Sequence, residues 1–153
     1  MVKGPCIAVL AAIDLKGGMI HFMTKTKSIK KADFIKFITE LNDMCHERLT
    51  LFLDNASIHK ARDSVAVMDA LDCRPHWNMP YRPDLNCIEI FWGVEKALFR
   101  QKLLHETLNP TGKSLMEMTR ESILAVSKET TIKIVKKGIK RLKSHQQVHS
   151  KLY

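Results

Sequence analysis

Two short strings hold most of the residues in this chain that could do chemistry. The first, LDNASIHK (53–60), puts an acid where an apolar run ends and a polar turn begins. A carboxylate at a strand end is held rigidly with its oxygens outward, and strand ends are where ligands gather in open α/β sheets. The plainer role for Asp54 or Asn55 is to cap the turn or the following helix, and local pattern alone favours it. The second string, YRPDLNCIEIFW (81–92), carries Glu89 at the start of an expected helix. Asp84 or Asn86 suits the cap there, and Glu89 suits the first turn because the helix dipole favours negative charge. If Glu89 instead points towards Asp54, the two carboxylates share hard divalent cations such as Mg²⁺, which take oxygen ligands. So close a pair of like charges is unstable without metal.

Regular elements must bring these strings together. Residues 6–15 and 19–24 are apolar runs around Lys16-Gly17-Gly18 and predict a β-hairpin. Phe34, Ile38, Leu41 and Cys45 recur at helical steps, with Phe37 and Met44 widening the face. Residues 49–53 read as a strand covered on both sides, 65–71 as a helix and 74–78 as a second short strand. From Ile88 a helix follows, with Phe91, Val94 and Leu98 on one face. Asn109-Pro110-Thr111-Gly112 marks the clearest boundary, and Met116, Thr119, Ile123 and Val126 fit one more helix. A last helix has Ile132, Val135, Ile139 and Leu142 as its apolar stripe. The order predicts a mixed α/β sheet with helices packed on it.

At 153 residues and 45% hydrophobic, the chain has room for one compact domain with a real core, which excludes a collagenous or wholly disordered chain. Its net charge of +9 favours polyanionic partners. The excess is one-sided: from Lys113 onward there are ten Lys or Arg against three Glu, leaving only +2 for residues 1–112. Lys133, Lys136, Lys137, Lys140 and Lys143 could track DNA phosphates; a solvated helix face explains them equally well. Four scattered cysteines form neither a zinc pattern nor a disulfide framework, and no apolar run is long enough to cross a bilayer. The expected setting is intracellular and off the membrane: the nucleus in a eukaryote, otherwise the cytoplasm.

Taken together at their spacing, the two strings resemble the DDE transposases of the mariner superfamily and their bacterial insertion-sequence relatives. In that family a catalytic Asp ends the central strand within an Asp-Asn-Ala-x-x-His string, and a Pro-Asp-Leu-Asn-Pro-Ile-Glu string bears the third acid. Asp54 and Glu89 match these positions with 34 residues between them, the interval of the Glu-bearing branch. The resemblance extends over about residues 6–105, because AAIDLKGG (11–18) looks like the second strand and hairpin of the family's core.

The resemblance implies an α/β, RNase H-like (retroviral-integrase-like) core over residues 1–108, lacking its first strand, followed by a basic helical tail over 109–153. It implies Asp54 and Glu89 as catalytic ligands of Mg²⁺ or Mn²⁺, with His59, Asn55 and Asn86 supporting; Arg82, just before the Glu-bearing turn, suits phosphate by its own chemistry. The implied chemistry is cleavage and strand transfer of transposon DNA, with double-stranded ends and target as partners and a homo-oligomer as the assembly. Two departures stand out. Cys87 replaces the usual Pro, and the family's first catalytic Asp has no counterpart in the five residues before Cys6. Asp14 is the one acid available as a substitute, though its match is to a hairpin-turn position. The competing expectation is a DNA-binding or assembly protein that keeps this core without cleavage; a nuclease of similar fold is a third.

Overall fold

The structure, a computed structural model, describes residues 6–150, without the side chains of 147–150. The hairpin is present: β1 (Ala8–Ile13) and β2 (Met19–Lys25) pair antiparallel, Ala8 opposite Lys25 and Ile13 opposite Met19, with an irregularity at Ala12 and Ile13. Asp14 closes its turn. The Oδ1 of Asp14 accepts the backbone N–H groups of Lys16, Gly17 and Gly18 at 2.9, 2.6 and 3.2 Å. Gly18 sits at φ +76°, where a Cβ would be strained.

The helix α1 (Lys31–Met44) buries Phe34, Phe37, Ile38 and Leu41, the face that its spacing predicts. Met44, expected on that face, is 52% exposed, because it is the last helical residue before the chain turns off at Cys45. Next, β3 (Thr50–Leu53) runs through α2 (Ser57–Lys60) and α3 (Arg62–Ala70) to β4 (Arg74–Trp77). β3 and β4 pair in parallel, from Thr50 opposite Arg74 to Leu53 opposite Trp77, as a helical crossover requires.

The sequence predicts one mixed sheet, but among the described residues the strands pair as two separate two-stranded ribbons, β1–β2 and β3–β4. Among the described residues β1 and β3 each keep one unpaired edge. Cover on both sides of β3 is also not found: Leu51 and Leu53 join the core, while Thr50 and Phe52 are exposed. Strand side chains alternate, so one packing layer buries only one face.

Both ribbons lie on α1. Leu10, Ala12 and Met23 of the first and Leu51, Leu53 and Trp77 of the second join Phe34, Phe37, Ile38, Leu41 and Met68 in one cluster. The alternate hairpin residues Val9, Ile13 and Phe22 pack instead against Phe91 of α4 (Cys87–Leu108), Ile123 of α5 (Leu115–Ala125) and Ile134 of α6 (Lys128–Ser150). The hairpin is therefore sandwiched between α1 and the C-terminal helices. The break at 109–114 is sewn down by Glu106, whose Oε1 accepts the N–H groups of Thr111, Gly112 and Lys113. Ser114 and Glu117 then form a reciprocal capping box for α5.

On α6 the lysines 133, 136, 137, 140 and 143 are all exposed, as the spacing predicts. The buried face is rotated relative to the expected stripe: Thr131, Ile134, Val135 and Gly138 are buried, while Ile132, Ile139 and Leu142 are only half-buried. Gly138 explains the rotation. A Cβ there would lie 2.4 Å from the Cβ of Cys87, so the backbone of α6 rests directly on the first turn of α4. Gly138→Ala is expected to cost about 1–3 kcal/mol through overpacking. Urea denaturation checks this, and an unchanged midpoint would mean the two helices are not in such close contact.

Candidate active site

Strand β3 ends at Leu53 and so delivers Asp54 at its C-terminal end, where Oδ1 accepts the Ala56 N–H at 3.0 Å. The turn-capping role open to Asp54 is thus real. His59 approaches the same oxygen, with Nδ1 at 2.8 Å, but the alignment misses hydrogen-bond geometry and leaves Nδ1 buried without a hydrogen bond. The His59 ring is fixed from behind by Phe34, with centroids 4.4 Å apart. Both contacts fall on Oδ1, so Oδ2 of Asp54 carries neither.

Asn55 turns towards the other string, its Nδ2 donating to the carbonyl oxygen of Asn78 at 2.6 Å. Asn78, just past β4, is buried. Its N–H donates to Leu53 O at 2.7 Å, its Nδ2 donates to Arg82 O at 2.8 Å, and its Oδ1 accepts the Met79 N–H at 2.9 Å. The loop that carries the second string is thereby tied to the end of β3.

Beyond that loop, a 3-10 turn (Pro83–Leu85) leads into α4. Asn86 is the cap, accepting the Ile88 N–H at 3.3 Å, and Glu89 stands in the first helical turn. Arg82 grips Asp84 through Nε and Nη2, both at 2.8 Å, and reaches His145 Nε2 of α6 at 2.9 Å. A guanidinium only donates, so that imidazole nitrogen accepts. Arg141 adds a hydrogen bond to Asp84 O at 3.3 Å. The Arg82 hydrogen bonds hold the Asp84 carboxyl below the usual carboxylate range, and Asp84 in turn raises Arg82.

These connections make Asp54 and Glu89 line one open cavity of about 400 Å³, with Asn55, Asn86 and Arg82 around it. His59 sits behind Asp54. Asp14 does not line this cavity; its Oδ1 is engaged by the three backbone groups of the hairpin turn. Asn78 and Met79, which the sequence does not single out, and Tyr81, to which it assigns no role, also line the cavity. The available signal was an Asn directly after a short strand and two residues before a Pro.

Among the described residues no three His, Cys, Asp or Glu side chains cluster as a metal cage. The donors that are present still fit a hard divalent cation: two carboxylates open onto one cavity, with a buried, unsatisfied imidazole nitrogen beside one of them. Mg²⁺ commonly takes one or two protein carboxylates and completes its shell with water and substrate phosphate. The cysteines offer no competing soft site; all four are free thiols, and burial pushes Cys73 and Cys87 towards the protonated form. No described helix is long and apolar enough to cross a membrane.

The described elements are a hairpin and a parallel β-α-β unit flanked by helices, with one acid at a strand end and another at a helix start, and likeness to the solved structures below makes the fold RNase H-like. Residues 3–109 match the DDE superfamily endonucleases, and the chain belongs to that family. Among solved structures it is similar to the Mos1 transposase catalytic domain with raltegravir and Mg, at 20% identity and TM-score 0.54, covering 85% of this chain and 74% of that one. The Mos1 strand transfer complex matches at 20% identity and TM-score 0.57, over 90% of this chain and 44% of that one. A simian T-cell lymphotropic virus intasome in complex with PP2A regulatory subunit B56 gamma matches at 13% identity and TM-score 0.61, over 77% of this chain. The chain spans only 41% of the length of that intasome chain. No curated protein matches the sequence significantly.

The grip on Asp84 carries a pH signature. A carboxyl with a depressed folded pKa contributes stability that is present above its unfolded value and is lost as pH falls through the folded one. In a carboxyl ¹³C NMR titration Asp84 is expected to ionise below the ordinary range, and Arg82→Ala to move its midpoint upward. An unmoved midpoint would mean that Arg82 is not what holds it.

Proposed function

We propose that this chain is a transposase catalytic core of mariner type, acting on double-stranded DNA by divalent-metal-dependent phosphodiester cleavage and strand transfer. The observation that carries this reading is the opening of Asp54 and Glu89, with 34 residues between them, onto a single cavity. Family membership supports it, as does likeness to Mos1 structures described as paired-end and strand transfer complexes.

In this reading Asp54 and Glu89 hold Mg²⁺ or Mn²⁺, with Oδ2 of Asp54 available because the turn contacts use Oδ1. The bound metal supplies Lewis-acid activation of the attacking hydroxyl and stabilisation of the leaving oxygen. His59 is a positioning residue, braced by Phe34 and limiting the swing of the Asp54 carboxylate. Asn86 fixes the helix start that presents Glu89, and Arg82 offers positive charge to phosphate at the rim. Residues 1–108 form the catalytic unit, while the exposed lysines of residues 109–153 follow the DNA backbone. The protein works as a homo-oligomer on paired DNA ends.

A second reading has one specific observation in its favour: among the described residues two carboxylates, rather than three, line the cavity, and Asp14 is engaged elsewhere. It is a DNA-binding or assembly protein that no longer cleaves.

Nicking of a labelled duplex separates the two. Under the first reading Mg²⁺ or Mn²⁺ supports nicking, and Asp54→Asn and Glu89→Gln each reduce it by more than about 100-fold, the upper end of what loss of mere supporting groups costs. Binding without nicking by the parent chain favours the second. In either case, replacing Lys136, Lys140 and Lys143 with Ala is expected to flatten the log–log salt dependence of DNA binding by about 0.9 for each phosphate that those lysines neutralise. A slope that does not change would assign those lysines to solvent alone.

A further inference from the structure

One residue at the cavity is not accounted for by metal binding, capping or packing. Tyr81 is 101% exposed relative to its reference, with no part of its ring covered, although aromatic side chains normally contribute through burial. It also sits at φ +58°, in the left-handed region that is a genuine outlier for a bulky residue. Such a conformation costs on the order of 1–3 kcal/mol and persists only where the surroundings impose it.

The surroundings do impose it. The Arg82 N–H donates to Met79 O at 3.3 Å, closing a four-residue turn with Pro80 second and Tyr81 third. Pro second and positive φ third is the type II pattern, whose third position belongs to Gly. Here it is filled by a large flat ring. The turn is locked at both ends: buried Asn78 binds the Met79 N–H and the Arg82 carbonyl, and Arg82 is clamped by Asp84 and His145. Asn55 fastens the same Asn78 to the Asp54 turn. A fully hydrated aromatic ring is thus held out at the rim of the cavity lined by Asp54 and Glu89, with the half-exposed Met79 beside it. The fold carries backbone strain for this display and gains no burial from it.

We infer that Tyr81 is a stacking platform for an unpaired nucleobase next to the phosphodiester held at Asp54 and Glu89. This rests on the DNA reading of the site and adds which part of the DNA is gripped beside the backbone. A base in a duplex is stacked on both faces and has none to offer an aromatic side chain. A frayed or extruded base has one, and stacking on an exposed ring is tolerant of base identity. Tyr81 therefore gives the site a preference for distorted or single-stranded DNA at the cleavage position, independent of sequence. It is a substrate-positioning residue and exchanges no proton.

The test uses the whole chain and three oligonucleotide probes in Ca²⁺: a fully paired duplex, the same duplex with an unpaired terminal base, and that base replaced by 2-aminopurine. The expected results are tighter binding of the unpaired form and quenching of 2-aminopurine fluorescence on binding. Tyr81→Phe and Tyr81→Trp retain both. Tyr81→Ala and Tyr81→Gly lose the quenching and about tenfold in affinity for the unpaired form, while binding of the paired duplex is unchanged. Tyr81→Gly is the telling variant, because it relieves the left-handed strain. Its thermal midpoint is expected to hold or rise while the preference disappears, a combination that a purely structural tyrosine does not produce. If the parent chain binds paired and unpaired DNA equally, or Tyr81→Gly keeps the preference, the stacking role is wrong while the DNA reading stands. If no DNA form binds in a salt-sensitive way, the DNA reading itself fails and the stacking role falls with it.

Discussion

A single buried amide holds the two halves of the site together. Every polar group of Asn78 is engaged: its N–H with Leu53, its carbonyl with Asn55, its Nδ2 with Arg82 and its Oδ1 with Met79. A buried amide with its hydrogen bonds satisfied specifies one arrangement, because any other leaves a donor or acceptor unpaired at a cost of about 1–3 kcal/mol. Through this residue the end of β3 and the loop before α4 become one rigid piece. Asp54 and Glu89 line the same cavity, and Asn78 ties together the two stretches of chain that carry them.

Which residues meet at the cavity was more legible in the sequence than the scaffolding that brings them there. Asp54, Asn55, Asn86 and Glu89 lie in the two strings that the sequence singles out, and all four line the cavity, while the hairpin, α1 and α4 follow from apolar patterning. What local pattern does not encode is how elements meet. The rotation of α6 depends on Gly138 resting on Cys87, two residues with no shared motif. The exposure of Phe52 depends on which face of β3 receives a layer, and alternation alone is silent on that. Asn78 reads as one more polar residue near a proline, since two of its four partners, Leu53 and Asn55, lie more than twenty residues away in the chain. The split into two ribbons is likewise a statement about a pairing that is not made, and strand propensity addresses only whether a strand forms.

Charge is distributed by the same scaffolding. Two carboxylates line the cavity of a protein with a net charge of +9, and the guanidinium that lines it with them is restrained. Arg82 is committed to Asp84 and His145, and Arg141 donates to the Asp84 carbonyl. Farther along α6 the lysines stand in solvent. Positive charge therefore stands at the cavity rim and along α6, while the ionisable side chains that line the cavity beside Arg82 are acidic.

The two ribbons have a consequence for how this protein behaves at high concentration. An edge strand offers a row of free N–H and C=O groups, a ready template for adding a strand from another molecule. β3 is only four residues long and its template is correspondingly weak, whereas β1 has six and flanks a seven-residue partner. Where such an edge is uncovered, the attraction lies in backbone groups, which salt does not screen, whereas the repulsion between like-charged copies is screened.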